Sequence, residues 1–359
     1  MEIAGGVTVN LYLLTVMVGG VGLISGFVGV SGGYLITPLL IIMGMPAGIA
    51  VGTGLALMTA NSLIGILRHR QLGNLDLKMS LITAGGTMVG AELGVRLLER
   101  LQAHGEAVAD IAVLGALLLT LIVVSIVVTR EVIQTGRCIA NGSEGDSAAD
   151  DSEIRTAACD FLQSLKIYPH MRFTKSKLRI SGWIIFVLGI GVGVLSGFLG
   201  IGGCFMRTPA LIYLVGQPSV MTIGTNLLGS FFGLGFGAFR HAMLGNVEVG
   251  IALTMLLGMG LGTFIGAQGT SYFKGLAVRF VLAGSIIAAC FGPAFKIAYF
   301  ITDVAVLDRI ARILTVGQIF MPVTMIVILL VLAARHRSGS DVPTWAESLL
   351  ASVGSASAD

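Results

Sequence analysis

The stretch Ser25-Gly26-Phe27-Val28-Gly29-Val30 returns as Ser196-Gly197-Phe198-Leu199-Gly200-Ile201, 171 residues further along the chain. Thr37-Pro38 returns as Thr208-Pro209 at the same spacing. After one inserted residue, Val51-Gly52-Thr53 pairs with Ile223-Gly224-Thr225, and the run from His69 to Asp76 pairs with the run from His241 to Glu248. Gly86, Gly90 and Gly94 then match Gly258, Gly262 and Gly266. A unit of about 70 residues is therefore duplicated, and a repeat of this length constrains the architecture before any single element is read.

The chain around the repeat is apolar. Of 359 residues, 55% are hydrophobic and 11% charged, against about 25% charged in soluble domains. Water cannot wet such a surface, which excludes a soluble enzyme, a disordered chain and a nucleic-acid binder, and leaves the lipid bilayer as the solvent. The net charge of +3 is too mild to imply a polyanionic partner. Cys138, Cys159, Cys204 and Cys290 show neither a disulfide framework nor metal-ligand spacing. No Lys or Arg precedes Arg68, so the first apolar run is expected to stay as a span rather than serve as a signal peptide.

A crossing helix needs about 20 apolar residues. Runs of that kind fall at about 9–30, 47–67, 79–97 and 109–129, and again at about 181–200, 219–239, 249–268, 277–299 and 310–334. Two shorter runs, at about 34–44 and 205–215, each follow a glycine cluster and either cross or re-enter. The expected organisation is a first membrane repeat over 1–130, a charged linker over 131–179, a second repeat over 180–337 and a polar tail over 338–359. Residues 130–179 hold 15 of the 41 charged residues. The segment around Phe161, Leu162, Leu165 and Tyr168 reads either as a passive connector or as a short amphipathic helix on the membrane face.

Lys and Arg mark the cytoplasmic ends of spans. With the N-terminus outside, the clusters Arg68/Arg70/Lys78, Arg130/Arg137, Arg172 to Arg179, Lys274/Arg279 and Arg335/Arg337 all fall inside, along with the linker and the C-terminus. His69 then lies inside and its twin His241 outside, so the repeats are inverted. The fold class expected is an all-α polytopic membrane protein of two inverted-topology repeats with broken helices, in about 8–10 membrane segments. Inverted repeats with interrupted helices are the construction of many secondary transporters.

The interruption is the repeated motif itself. Gly26, Gly29, Gly32 and Gly33, and Gly197, Gly200, Gly202 and Gly203, end an apolar helix, and Thr-Pro is an N-cap and first-turn signal that restarts it. Backbone broken at membrane depth is tolerated only inside protein or around a wet cavity, and its free N–H groups favour an anion. The substrate-binding candidates are accordingly Gly29, Gly32, Gly33, Thr37, Pro38, Gly200, Gly202, Gly203, Thr208 and Pro209, with Arg207 and Asn226 beside the second break. Arg207 reads as an oxyanion ligand or as a side chain snorkelling to the outer interface. Glu92 reads as a coupling carboxylate or as an intrahelical partner of Arg96. Asn61 and Ser62 line a path or bridge helices, His69 and His241 cap span ends, and Cys204 is a substrate-facing thiol or a small buried residue. The glycine ladders at 86/90/94 and 258/262/266 suit close helix packing.

Gly22 to Gly33, followed by Thr37-Pro38-Leu39-Leu40 and Val51-Gly52-Thr53, resembles the TauE/SafE sulfite exporter family, as does the second copy from Gly193 to Gly203 with Thr208-Pro209 and Gly224-Thr225-Asn226. The resemblance covers roughly 10–130 and 180–335. It implies a multi-pass inner-membrane protein exporting sulfur-containing anions such as sulfite, sulfoacetate or related organosulfonates. Cys204 in a glycine position and the long linker depart from the family pattern. The expected activity is thus alternating-access transport of such an anion, driven by its own gradient or by a coupling ion, proton or sodium, since no P-loop is present. No cofactor, metal or nucleic acid is called for. The alternatives are a passive anion channel, a membrane assembly subunit or a membrane-embedded enzyme.

Overall fold

The structure, a computed structural model, describes residues 11–28, 31–71, 76–140, 168, 170–173, 178–217, 219–270 and 275–337. The first half runs through α1 (Leu11–Val28), α2 (Gly33–Ile42), α3 (Ala47–Gln71), α4 (Leu77–Ala103) and α5 (Glu106–Ala140). A two-stranded antiparallel hairpin follows, β1 (His170–Phe173) and β2 (Leu178–Ser181). The second half contains α6 (Gly182–Leu199), α7 (Cys204–Ala210, continued by a π-helical turn over Leu211–Val215), α8 (Ser219–Met243), α9 (Val249–Thr270), α10 (Gly275–Thr302) and α11 (Ala305–Arg337). Among the described residues, α1, α4, α5, α6, α9, α10 and α11 are long and apolar enough to cross a bilayer. Large apolar side chains such as Leu119, Val187, Leu257 and Ile313 point outward, as lipid-facing helices require.

Contacts along the helices fix their relative directions. In α1 and α9, Thr15 meets Gly258, Gly19 meets Gly262 and Leu23 meets Gly266, so the two run parallel. In α4 and α6, Gly86 meets Phe186, Gly90 meets Ile190 and Gly94 meets Val194, again parallel. Helix α8 runs parallel to α4, with Asp76 and Ser80 on Thr225 and Glu92 on Arg240. It runs antiparallel to α3, with Leu55 near Gly237 and His241 near Gly52. Helix α3 thus runs opposite to its twin α8, as inverted repeats require. The repeats are inverted.

Glycine makes this arrangement possible. A Cβ at Gly90 would overlap the Ile190 carbonyl, and one at Gly262 would overlap that of Gly19; Gly193 and Gly22 answer from the facing helices. The two ladders are small-xxx-small seams in which backbones touch directly. Each joins the first helix of one repeat to the fourth helix of the other. The outer layer is α5, α10 and α11, with Lys296 on α10 bonded to Asp308 on α11 at 2.5 Å. Helix α2 lies at the centre, with all ten residues buried.

Two details differ from the sequence reading. Helix α5 continues to Ala140, into the charged stretch, and the β hairpin was not anticipated. Of the suggested amphipathic segment only Tyr168 falls within the described residues.

Candidate functional site

The broken helices form as the duplicated glycines require, but they restart earlier than Thr-Pro. Helix α2 begins at Gly33 after Gly32, and α7 begins at Cys204 after Gly203, neither with a side-chain cap. Thr37-Pro38 and Thr208-Pro209 lie inside these helices rather than at their starts. The physical reason is local. Gly200, Gly202 and Gly203 are left-handed, at φ 68°, 82° and 61°, and the chain can resume α geometry as soon as it leaves them. Pro209, which has no N–H to donate, is followed by the π turn, a bulge typical of functional positions. Gly29 and the side chains of Pro209, Cys204 and His69 lie outside the described residues.

The two breaks touch. Ser31 donates from Oγ to the Ile201 carbonyl at 3.4 Å, and Thr37 donates from Oγ1 to the Gly200 carbonyl at 3.2 Å. A Cβ at Gly33 would stand 2.6 Å from the same Ile201 oxygen, so this crossing admits only glycine. The bond across the break therefore uses one sequence-selected residue from each repeat, Thr37 and Gly200.

On the second-repeat side sits Arg207, with no exposed surface. It does not snorkel outward. Its Nη1 donates to the Asn226 carbonyl at 3.3 Å and to Ser230 Oγ at 3.0 Å. Asn226 donates from Nδ2 to Thr208 Oγ1 at 2.7 Å and accepts from Ser230 at 3.2 Å. Arg207, Thr208 and Asn226, three residues singled out from the sequence, thus belong to one hydrogen-bonded cluster. Gly229 makes room for it, since a Cβ there would meet Arg207 Nη1 at 2.8 Å and Thr83 Oγ1 at 2.5 Å.

Other members of the cluster were missed. Ser80 donates to the Thr225 carbonyl at 3.1 Å, Thr87 to the Gly229 carbonyl at 3.3 Å, and Gln217 Nε2 to Thr225 Oγ1 at 3.2 Å. The buried Asp76 caps α4 through Met79 N and donates its own N–H to Thr225 Oγ1. Ser80, Thr83 and Thr87 share one face of α4, a polar stripe whose spacing was available in the sequence. In the other repeat the positions equivalent to Arg207, Asn226, Ser230, Thr83 and Thr87 are Ile36, Gly54, Met58, Met255 and Met259, all buried.

The remaining candidates lie elsewhere. Glu92 accepts from Arg96 Nε at 2.7 Å and from Arg240 Nε at 2.6 Å, tying α4 to α8. His241 is buried with Nε2 3.2 Å from the Gly197 carbonyl, a capping contact at the end of α6. Ser62 bonds the Thr59 carbonyl of its own helix at 2.8 Å, and Asn61 is half-buried beside it. Among the described residues no group of His, Cys, Asp and Glu could hold a metal ion.

Comparison with known proteins agrees with this construction. The chain is 26% identical over 272 residues to the Bacillus subtilis protein named probable membrane transporter protein YjnA, covering 75% of this chain and 94% of that one. It is 25% identical over 272 residues to a second B. subtilis protein with the same description, YdhB, covering 74% and 91%. A Xylella fastidiosa probable membrane transporter protein is 26% identical over 289 residues, covering 79% and 92%. No solved structure matches the chain. The profile of the family described as sulfite exporter TauE/SafE matches residues 13–292, which takes in both glycine breaks, both ladders and the Arg207 cluster. This multi-pass membrane protein belongs to the sulfite exporter TauE/SafE family.

Proposed function

We propose that the protein is a secondary transporter that exports a small sulfur-containing oxyanion, such as sulfite, sulfoacetate or a related organosulfonate, by alternating access in a scaffold of inverted repeats. The carrying observation is the fully buried Arg207, on the short helix after the second break and held there by Asn226 and Ser230. A charge at this depth costs about 3 kcal/mol even on insertion scales, so it is retained for a purpose. Its planar guanidinium suits bidentate contact with an oxyanion. Helix α7 has only seven α-helical residues, too short for a full dipole, and Arg207 supplies the positive charge instead. The reading places the protein in the inner membrane with its N-terminus outside and the linker and C-terminus in the cytoplasm. The chain supplies no nucleotide-binding loop, so the drive is the substrate gradient or a coupled proton or sodium ion.

The rocking bodies are the two mixed bundles rather than the two repeats. One centres on α1 and α9, the other on α4, α6 and α8, because the glycine seams lock helices from different repeats together. The test is flux of labelled sulfite or sulfoacetate in proteoliposomes. Saturable, counterflow-competent transport that is lost in Arg207→Ala supports a carrier with this ligand. Unsaturable flux without counterflow selects a channel, and unchanged flux in Arg207→Ala removes the residue from the site.

A further inference from the structure

We propose that the β1–β2 hairpin is a docking surface for the headgroups of anionic phospholipids in the surrounding bilayer. The register pairs Arg172 directly with Arg179 across the two strands. Like charges placed opposite one another destabilise a sheet unless an anion lies against them. The sequence from Tyr168 to Ser181 contains Arg172, Lys175, Lys177 and Arg179 and no Asp or Glu. It leads straight into Gly182, the first residue of a membrane helix, where basic clusters recognise acidic lipid. Trp183, the second residue of that helix, is 55% exposed, the position and residue type of an interfacial anchor.

The hairpin is firmly seated. Phe173 and Ile180 are buried against Met79, Ile185, Leu211 and Val215, while Arg172 on the other face is exposed. Met79 neighbours Ser80, and Leu211 and Val215 form the π turn that follows the Arg207 helix, so the hairpin packs on elements that also carry the polar cluster. Headgroup charge is in this way brought next to the elements that position the substrate site. The proposal does not depend on which anion the protein carries.

Trp183 supplies the test, because the chain holds two tryptophans and Trp345→Phe leaves it alone. The full chain carrying this substitution is reconstituted with brominated phosphatidylglycerol or brominated phosphatidylcholine, and quenching is compared. We expect the anionic lipid to bind roughly five-fold more strongly beside Trp183, the equivalent of one basic residue near a charged surface. Arg172→Gln with Arg179→Gln abolishes the preference, whereas Arg172→Lys with Arg179→Lys retains it. The thermal transition in detergent shows whether the double variant is folded, and the single Arg172→Gln, expected to lose part of the preference, replaces it if not. Equal quenching by the two lipids overturns the proposal, as does a preference that survives the glutamine variants. A preference erased by inorganic phosphate but not by chloride of equal ionic strength assigns the surface to a free anion and overturns the lipid reading.

Discussion

The two helix breaks share a motif and a pair of glycine seams, yet a buried charged cluster adjoins one and not the other. Around α7 stand the buried Arg207, Asn226 and Ser230 and the half-buried Thr208, faced by Thr83 and Thr87 of α4. Around α2 the equivalents are Ile36, Thr37, Gly54 and Met58, faced by Met255 and Met259. Duplication preserves the helix seams because glycine at a backbone contact leaves few alternatives. It leaves side-chain chemistry free to diverge, and here the charge is concentrated in one repeat. The symmetric part of the molecule is its framework and the asymmetric part is the candidate site.

The comparison is tested most severely at Arg207. Arg207→Met keeps most of the volume, and losing its charge-assisted hydrogen bonds should lower anion flux about 100-fold or more in proteoliposomes. Ile36→Met at the twin position should change flux by less than about three-fold, since volume-conserving apolar swaps are tolerated. Comparable losses in both would end the claim that the two breaks differ in function. The framework should behave in the opposite way. Gly90→Ala and Gly262→Ala each press a methyl group into a facing carbonyl and should cost about 1–3 kcal/mol each, read as similar falls in thermal midpoint. A large loss in one and none in the other would show that the two seams are not equivalent.

Two smaller effects refine the picture. Asn226→Ala removes the link between Thr208 and Ser230 and should raise the anion KM about ten-fold, with little change in midpoint. Glu92→Gln weakens a partly exposed tie between α4 and α8, worth about 1 kcal/mol at most. It should leave the pH profile of transport unaltered, whereas a shifted profile would make Glu92 a coupling carboxylate and move the divergence between the repeats beyond the breaks.

Periodicity and self-comparison carried most of the framework. The repeat, its inversion and the ladders at Gly86/Gly90/Gly94 and Gly258/Gly262/Gly266 were legible because each rests on backbone geometry that few sequences satisfy. Their partners, Gly189/Gly193/Gly197 at the same spacing and Gly19/Gly22/Gly26 at three and four, were absorbed into the run leading to the break. Thr-Pro was misread because its cap signature is local, whereas in the second repeat the restart follows left-handed glycines five to eight residues upstream of Thr208. The stripe Ser80, Thr83 and Thr87 was passed over for another reason. Hydroxyls in an apolar helix bond their own i−4 carbonyls and pass for filler, as Thr83 and Thr87 also do here. Only alignment with Ala252, Met255 and Met259 marks them as unusual. The hairpin escaped because strands of four residues leave almost no period to read.

The crossed seams also set a timetable for synthesis. Helix α4 meets its partner α6 after roughly 80 further residues, but α1 must wait roughly 220 residues for α9. At about 10 residues per second that is roughly 20 seconds during which the glycine face of α1 has no native neighbour. A nascent chain is therefore most open to capture by insertion factors, or to mispairing with another copy, through α1. Halves expressed separately should each be short-lived, and should rescue one another when made together.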